Sequence, residues 1–201
     1  MVITYYGAAC FKVQSGETVF VFNPPSKNSE FKSPRFQANF VLISKNHKDF
    51  NGAENIGSKE ESKDVFVING PGEYEVGGVY IKGIFSSNYG NTIYTVSLED
   101  INLCHLGFID YKDLTPEIKE EIGETDVLFF PLVENNGDNA GKIITYIGTR
   151  IACPFYFKES ELKKSLKEFG ESSLEKMERL TIKKKDLGAE KTKIVVLTPA
   201  I

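Results

Sequence analysis

With 201 residues, 41% of them hydrophobic, and a formal net charge of −4, the chain can bury one sizeable core. It lacks the basic surplus that a general nucleic-acid binder needs for phosphate contacts. No apolar run approaches the roughly 20 residues that span a bilayer, and Met1-Val2-Ile3-Thr4 opens a strand-like segment with no basic stretch before it, so the expected protein is cytoplasmic, with no membrane and no nucleic acid among its partners. Three scattered cysteines, Cys10, Cys104 and Cys153, make no C-x-x-C and no even framework, which suits reduced thiols packed in a core.

The first half reads as strands. Val2–Tyr6, Cys10–Gln14 and Thr18–Phe22 are short β-branched and aromatic runs, the last two separated by the hairpin candidate Ser15-Gly16-Glu17. Further strands are predicted at Phe40–Ser44, Val65–Asn69, Tyr74–Val76, Val79–Phe85, Thr92–Leu98 and Asn102–Leu106, punctuated by Pro71-Gly72, Gly77-Gly78 and Gly90-Asn91. Then the period changes. Thr115 as N-cap with Pro116 at the first helical position opens a helix that Gly123 ends, and the apolar strand Asp126–Leu132 follows. A helix is expected from Asp138 to Thr149, where Ala140, Ile143, Ile144 and Ile147 share a face, and then a strand at Arg150–Cys153. Ser160 is read as the cap of a helix over Glu161–Phe169 with a Leu162, Leu166, Phe169 stripe, and Lys193–Leu197 closes as a buried strand. The run Lys183-Lys184-Lys185 reads as a solvated corner. With no repeat or linker, residues 1–201 are expected to form a single layered α/β domain.

The segment Ser44-Lys45-Asn46-His47-Lys48-Asp49-Phe50, directly after the run Phe40–Ile43, has the form of a strand-end metal loop with ligands missing. Further on come Gly70-Pro71-Gly72-Glu73-Tyr74-Glu75-Val76, Asn91-Thr92-Ile93-Tyr94, Cys104-His105-Leu106-Gly107 and Cys153-Pro154. In this order and spacing they resemble the metallo-β-lactamase superfamily, in its branch of small metal-dependent hydrolases marked by a G-P-G-E-Y-E-V turn and an H-L-G-D motif. The resemblance covers nearly the whole chain and implies an α/β fold, a four-layer αββα sandwich with two metal ions at one edge between the sheets.

The departures bear on function. The resemblance implies a first metal held at the positions of Lys45, His47 and His105, and a second at those of Asp49, Phe50 and Tyr156. Phe108 stands where the bridging carboxylate belongs, and Asn23 where an aspartate usually precedes proline. A protonated ammonium and a phenyl ring have no lone pair to give a metal. Two ions roughly 3.5–4 Å apart are what lower the pKa of a shared water and polarise the scissile bond, so the expected protein has lost that reaction. His47, Asp49 and His105 remain as the remnant ligand set. No cofactor is expected; the alternative is a hydrolase that keeps one zinc, manganese or iron ion on those three residues. Lys45 would repel a cation there and is expected to form a buried pair with Asp49, while Phe50, Phe108 and Tyr156 plug the old cavity.

Other chemistries are weaker. Cys104 and His105 are strand neighbours and point to opposite faces. Gly70-Pro71-Gly72 is better read as a turn than a phosphate loop, Glu73 and Glu75 as a solvated face, and Asn135-Asn136-Gly137-Asp138 as a loop with an N-cap. The expectation is a non-catalytic binding or assembly module, a pseudoenzyme that forms an oligomer with itself or with a related family member.

Overall fold

The computed structural model of the protein describes residues 1–60, 63–86, 90–132, 139–169, 174–188 and 191–200, with the side chains of 166–169, 174 and 175 outside the description. In chain order the strands are β1 (Val2–Tyr5), β2 (Phe11–Ser15), β3 (Thr18–Phe22), β4 (Gln37–Ala38), β5 (Phe40–Leu42), β6 (Gly57–Ser58), β7 (Phe66–Ile68) and β8 (Gly72–Val76). They continue with β9 (Val79–Ser86), β10 (Asn91–Leu98), β11 (Ile101–His105), β12 (Val127–Leu132), β13 (Ile151–Tyr156), β14 (Leu174–Met177), β15 (Arg179–Thr181) and β16 (Lys193–Leu197). Among the described residues, three α-helices punctuate the second half: α1 (Pro116–Ile122), α2 (Ala140–Ile147) and α3 (Glu159–Phe169).

Two large sheets result, in strand orders β15-β1-β2-β3-β5-β7 and β14-β16-β13-β12-β11-β10-β9-β8, with β4 and β6 forming a small ladder of their own. Period-two alternation sorts the first sheet's side chains. Phe11, Val13, Phe20, Phe22, Phe40 and Leu42 enter the main core, whereas Cys10, Val19, Val21 and Val41 build a second, smaller cluster with Ala38, Ile43 and Ile56. The hairpin between β2 and β3 turns at Gly16, whose φ of 53° is the left-handed region that glycine enters without strain.

The second sheet changes character along its width. β8, β9, β10 and β11 pair antiparallel, whereas β11, β12, β13, β16 and β14 run parallel. Parallel strands need crossover helices that cover them, and every residue of β12 and β13 is buried accordingly. α1 packs against β9, and α3 against β12 and β13. The layered fold is therefore as expected, though its helices lie on the eight-stranded sheet. On the outer side of the six-stranded sheet, the described residues offer only the β4–β6 ladder and a single 3-10 turn at Ala53–Asn55.

Several local expectations hold. The side chain of Thr115 accepts from the Ile118 N–H and Gly123 closes α1, while Lys183, Lys184 and Lys185 are exposed on a corner that follows a strand rather than a helix. Glu73 and Glu75 are exposed. The three cysteines are buried and unbridged, and burial raises each thiol pKa, which keeps them protonated and unreactive.

Others shift. Ser160 lies inside the first turn of α3 rather than at its cap. The carboxylate of Glu161 instead accepts from the N–H groups of Phe157 and Lys158, at 2.9 and 3.0 Å, and so satisfies donors that the helix leaves open. α2 begins after Asn139; the proposed start at Asp138 and the loop Asn135–Asp138 lie outside the described residues, as do the side chains of Leu166 and Phe169. The pairs β4–β6 and β14–β16, and the edge strand β15 on β1, were not expected. Among the described residues, no helix is long and apolar enough to cross a membrane.

Candidate functional site

Four strands of the two sheets end at one rim, where β3 runs into Asn23, β5 into Ser44–Phe50, β11 into Leu106–Phe108 and β13 into Phe157. Loops at strand C-termini are where α/β folds place ligands. Asn23 anchors the rim. It is fully buried with φ of 47°, a conformation that asparagine tolerates better than most residues. Its Oδ1 accepts the Ser44 N–H at 2.7 Å, and its own N–H donates to Leu42 O at 2.8 Å. An asparagine thus fixes the start of the Ser44–Phe50 loop from a position where an aspartate was expected.

Asn91 fixes the facing loop. Its Nδ2 donates to Leu106 O at 2.9 Å and its Oδ1 accepts the Phe108 N–H at 2.8 Å. Gly107 sits between these bonds with φ of 63°, and a Cβ there would lie 2.1 Å from Asn91 Oδ1 and 2.8 Å from Ser44 Cβ, so no other residue fits. Asn91 was noticed in the sequence only as part of a strand motif; its positioning role carries no local signal.

His105 lies beneath the rim with no exposed surface. Its ring stacks on Phe22 and Phe155 at centroid distances of 4.9 and 5.1 Å. Nε2 is 3.1 Å from Ala9 O, and Nδ1 accepts the Gly107 N–H at 3.0 Å. This pairing defines the neutral tautomer with the proton on Nε2, and both ring nitrogens are engaged. Burial holds the imidazole pKa down to about 3.

His47 occupies a different environment, with 48% of its side chain exposed. The Asp49 N–H donates to its Nδ1 at 3.3 Å, and Asp49 Oδ2 lies 3.6 Å from the same nitrogen. Asp49 Oδ1 accepts from Ser29 Oγ at 2.6 Å. Lys45 is half-buried and holds its ammonium 5.1 Å from the centroid of the Phe108 ring. Lys45 and Asp49 are both only partly buried, so the fully buried pair expected between them is not the arrangement here.

Together with Phe31, Phe50 and Phe157, these residues line a hollow of about 380 Å³ that contains Lys45, His47, Asp49 and Phe108. His105, Tyr156 and Asn23 are not among its lining residues. Tyr156 turns its hydroxyl to Glu159 Oε1 at 3.4 Å, and burial together with that carboxylate pushes its pKa up to about 12. The ring that fills the rim is Phe157, whose centroid lies 6.0 Å from Phe50, 6.1 Å from Phe108 and 5.9 Å from Phe31. Phe157 was missed in the sequence, although it stands next to the tyrosine that was singled out.

A metal centre can be tested against these donors. Catalytic zinc needs three protein ligands with free lone pairs and an open position. Among the described residues, no group of three or more His, Cys, Asp or Glu side chains converges to hold an ion. His47 and Asp49 face the hollow while His105 spends both nitrogens inside the protein. The residues present do not fit the two-metal centre that the resemblance implies.

Two sheets with helices on the larger, and a rim at the strand ends, define a metallo-β-lactamase type of fold. A family model described as the beta-lactamase superfamily domain matches residues 2–155, and the chain belongs to that family. No curated protein matches the chain. Among solved structures, it is similar to a candidate zinc-dependent hydrolase of the metallo-β-lactamase superfamily from Thermotoga maritima, with 27% identity, a TM-score of 0.79 and coverage of 98% of this chain and 97% of that one. A metallo hydrolase from the archaeon Ignicoccus hospitalis shares the fold at 17% identity and TM-score 0.62, with coverage of 98% and 95%. So does a metallo-β-lactamase fold protein from Bacillus subtilis, at 11% identity and TM-score 0.59, with coverage of 99% and 97%.

Proposed function

We propose that this protein is a metallo-β-lactamase-fold module that has lost the dinuclear hydrolase site and works by binding or assembly, in the cytoplasm and with a second copy or a related family member as partner. The observation that carries the reading is the state of His105. It stands at a ligand position in the sequence pattern, yet its Nε2 faces Ala9 O and its Nδ1 accepts the Gly107 N–H. A hydrolase keeping one ion on His47, Asp49 and His105 would require the buried ring to break both bonds and leave its phenyl stack. Each abandoned buried group costs about 1–3 kcal/mol.

Lys45 and Phe108 add to this from the hollow itself, since one brings a positive charge and the other an apolar ring to where metal and bridge would sit. Such a domain is retained for what it holds or joins rather than for a reaction. The test is elemental analysis of protein purified without added metal, followed by titration with zinc, manganese and iron. The expected result is no stoichiometric ion and no saturable uptake at micromolar concentration. About one tightly held ion per chain, released by His105→Ala, would overturn the proposal.

A further inference from the structure

We infer that the open edge of β7 pairs with β7 of a second copy of this chain, antiparallel and about a two-fold axis at Val67; the inference deepens the assembly reading above and rests on it. Among the described residues the two large sheets end in four edge strands, β15 and β7 in one and β14 and β8 in the other. Monomeric proteins protect such edges with charged side chains. Three of the four follow that rule: β15 exposes Arg179, β14 exposes Lys176, and β8 exposes Glu73 and Glu75. β7 carries no charge at Phe66–Ile68 and leaves Phe66 51% and Val67 37% exposed, two of the four large apolar side chains exposed among the described residues. A hollow of about 650 Å³ opens beside it, lined in part by Val65, Phe66, Val67 and Val76, so the edge has room for a neighbour.

Backbone geometry fixes the register. Ile68 O accepts the Ile43 N–H at 2.8 Å, which turns the N–H and C=O of Ile68 toward β5, and by alternation along the strand those of Val67 face the open side. Antiparallel pairing centred there lets Val67 exchange both N–H···O bonds with Val67 of the second copy, and sets Val65 opposite Asn69 of that copy. Phe66 falls opposite Ile68 of the second copy, an aromatic and β-branched pair of the kind that stabilises a ladder. Asp64 falls opposite Gly70, so no like charges meet. The same operation on β8, centred on Tyr74, would set Glu73 against Glu75, which is destabilising. The uncharged run 65–68 is thus complementary to itself, and a contact that uses one patch on both copies closes as a two-fold dimer.

Sedimentation velocity of the full chain, from about 1 to about 300 µM, reads the pairing. A monomer–dimer equilibrium is expected with a Kd on the order of 10 µM, as suits a contact near the small end of specific interfaces. Val67→Pro removes the outward N–H and leaves the bonds to β5 in place, which an edge strand tolerates, and should weaken dimerisation about tenfold or more. Phe66→Lys should do the same by placing a charge on the edge. Tyr80→Lys, on an aromatic side chain of β9 that is 48% exposed, should leave the equilibrium unchanged, with circular dichroism confirming that each variant folds. A wild-type chain that stays monomeric across the range, a dimer that survives in folded Phe66→Lys, or a loss as large in Tyr80→Lys would each overturn the inference. Metal content of the same preparation separates the two readings. Metal-free protein that stays monomeric sinks this inference and leaves the lost metal site standing, whereas a dimer that holds one ion per chain sinks the lost metal site and leaves the pairing standing.

Discussion

The backbone N–H of Gly107 donates to Nδ1 of His105 at 3.0 Å, turning a side chain that reads as a metal ligand into a structural pin between two residues of one chain segment. The geometry depends on Gly107, because only glycine fits beneath Asn91 and Ser44 at a φ of 63°. On the far side of the ring Nε2 faces Ala9 O, so the imidazole joins the loop after β1 to the end of β11 across the sandwich.

Stability should fall on mild acidification because of His105. Its folded pKa is about 3, below its ordinary value of 6.5, so between those limits the unfolded chain binds a proton that the folded chain refuses. Unfolding free energy then rises with pH across that window, and the contribution is complete above pH 6.5. Urea titrations at pH 7, 6 and 5, above most carboxylate titration, should show a loss approaching about 1 kcal/mol per pH unit below 6.5. A folded His105→Gln variant should lose that slope. A flat profile in the wild type would mean that the ring reaches water.

Lys45→Ala should cost no more than about 1 kcal/mol, the size of a partly exposed cation–π or ion-pair contact. The ammonium lies 5.1 Å from the Phe108 centroid and the residue is half-buried. Breaking a fully buried ion pair would cost about 3–5 kcal/mol instead. A denaturant titration separates the two, and the larger loss would place Lys45 in a desolvated pair with Asp49.

Asp126 should matter more for stability than the half-buried Lys45 of the rim loop. Its carboxylate is 7% exposed, and it accepts from Arg150 Nε and Lys184 Nζ, both at 3.1 Å, and from the Asn102 N–H at 2.9 Å. It ties β11, β13 and the corner before β16 together. Asp126→Ala should cost about 1–3 kcal/mol, because the Asn102 N–H, Arg150 and Lys184 all lose the one carboxylate they share, whereas Lys184→Ala, on a half-exposed side chain, should cost less than about 1 kcal/mol. Equal losses in thermal or urea unfolding would contradict this.

What the sequence made legible follows from how local the signals are. Thr115, Pro116 and Gly123 frame α1 within a few residues, and the apolar run ending at Leu132 announces a strand, which the structure shows to be buried and paired in parallel on both sides. β15 was invisible because only Leu180 of Arg179–Thr181 is buried, and its place is set by pairing with β1, nearly the whole chain away. The rim positions Lys45, His47, Asp49, Phe50 and Phe108 come together as their order suggests. His105 does not join them, because the pattern fixes the strand position of a ring but not the partners of its nitrogens. Tyr156 was singled out and Phe157 was not for the same reason: a spacing borrowed from motifs cannot tell which of two neighbours faces the hollow.

That last distinction can be tested by building a metal site. Phe155 and Phe157 have rings 6.2 Å apart and share one side of the chain, while Tyr156 between them points its hydroxyl at Glu159. Phe157 lines the hollow with Lys45, His47 and Asp49, and Tyr156 does not. Lys45→His combined with Phe157→His should therefore bring two new imidazoles toward His47 and Asp49 and create zinc affinity, since four N/O donors satisfy a tetrahedral ion. Lys45→His combined with Tyr156→His should bind far more weakly, its second imidazole facing the start of α3. Zinc titration of both variants, with folding checked by circular dichroism, decides the matter. Tighter binding by the Tyr156 variant would mean that the chain after β13 turns the other way and that the hollow's lining must be redrawn.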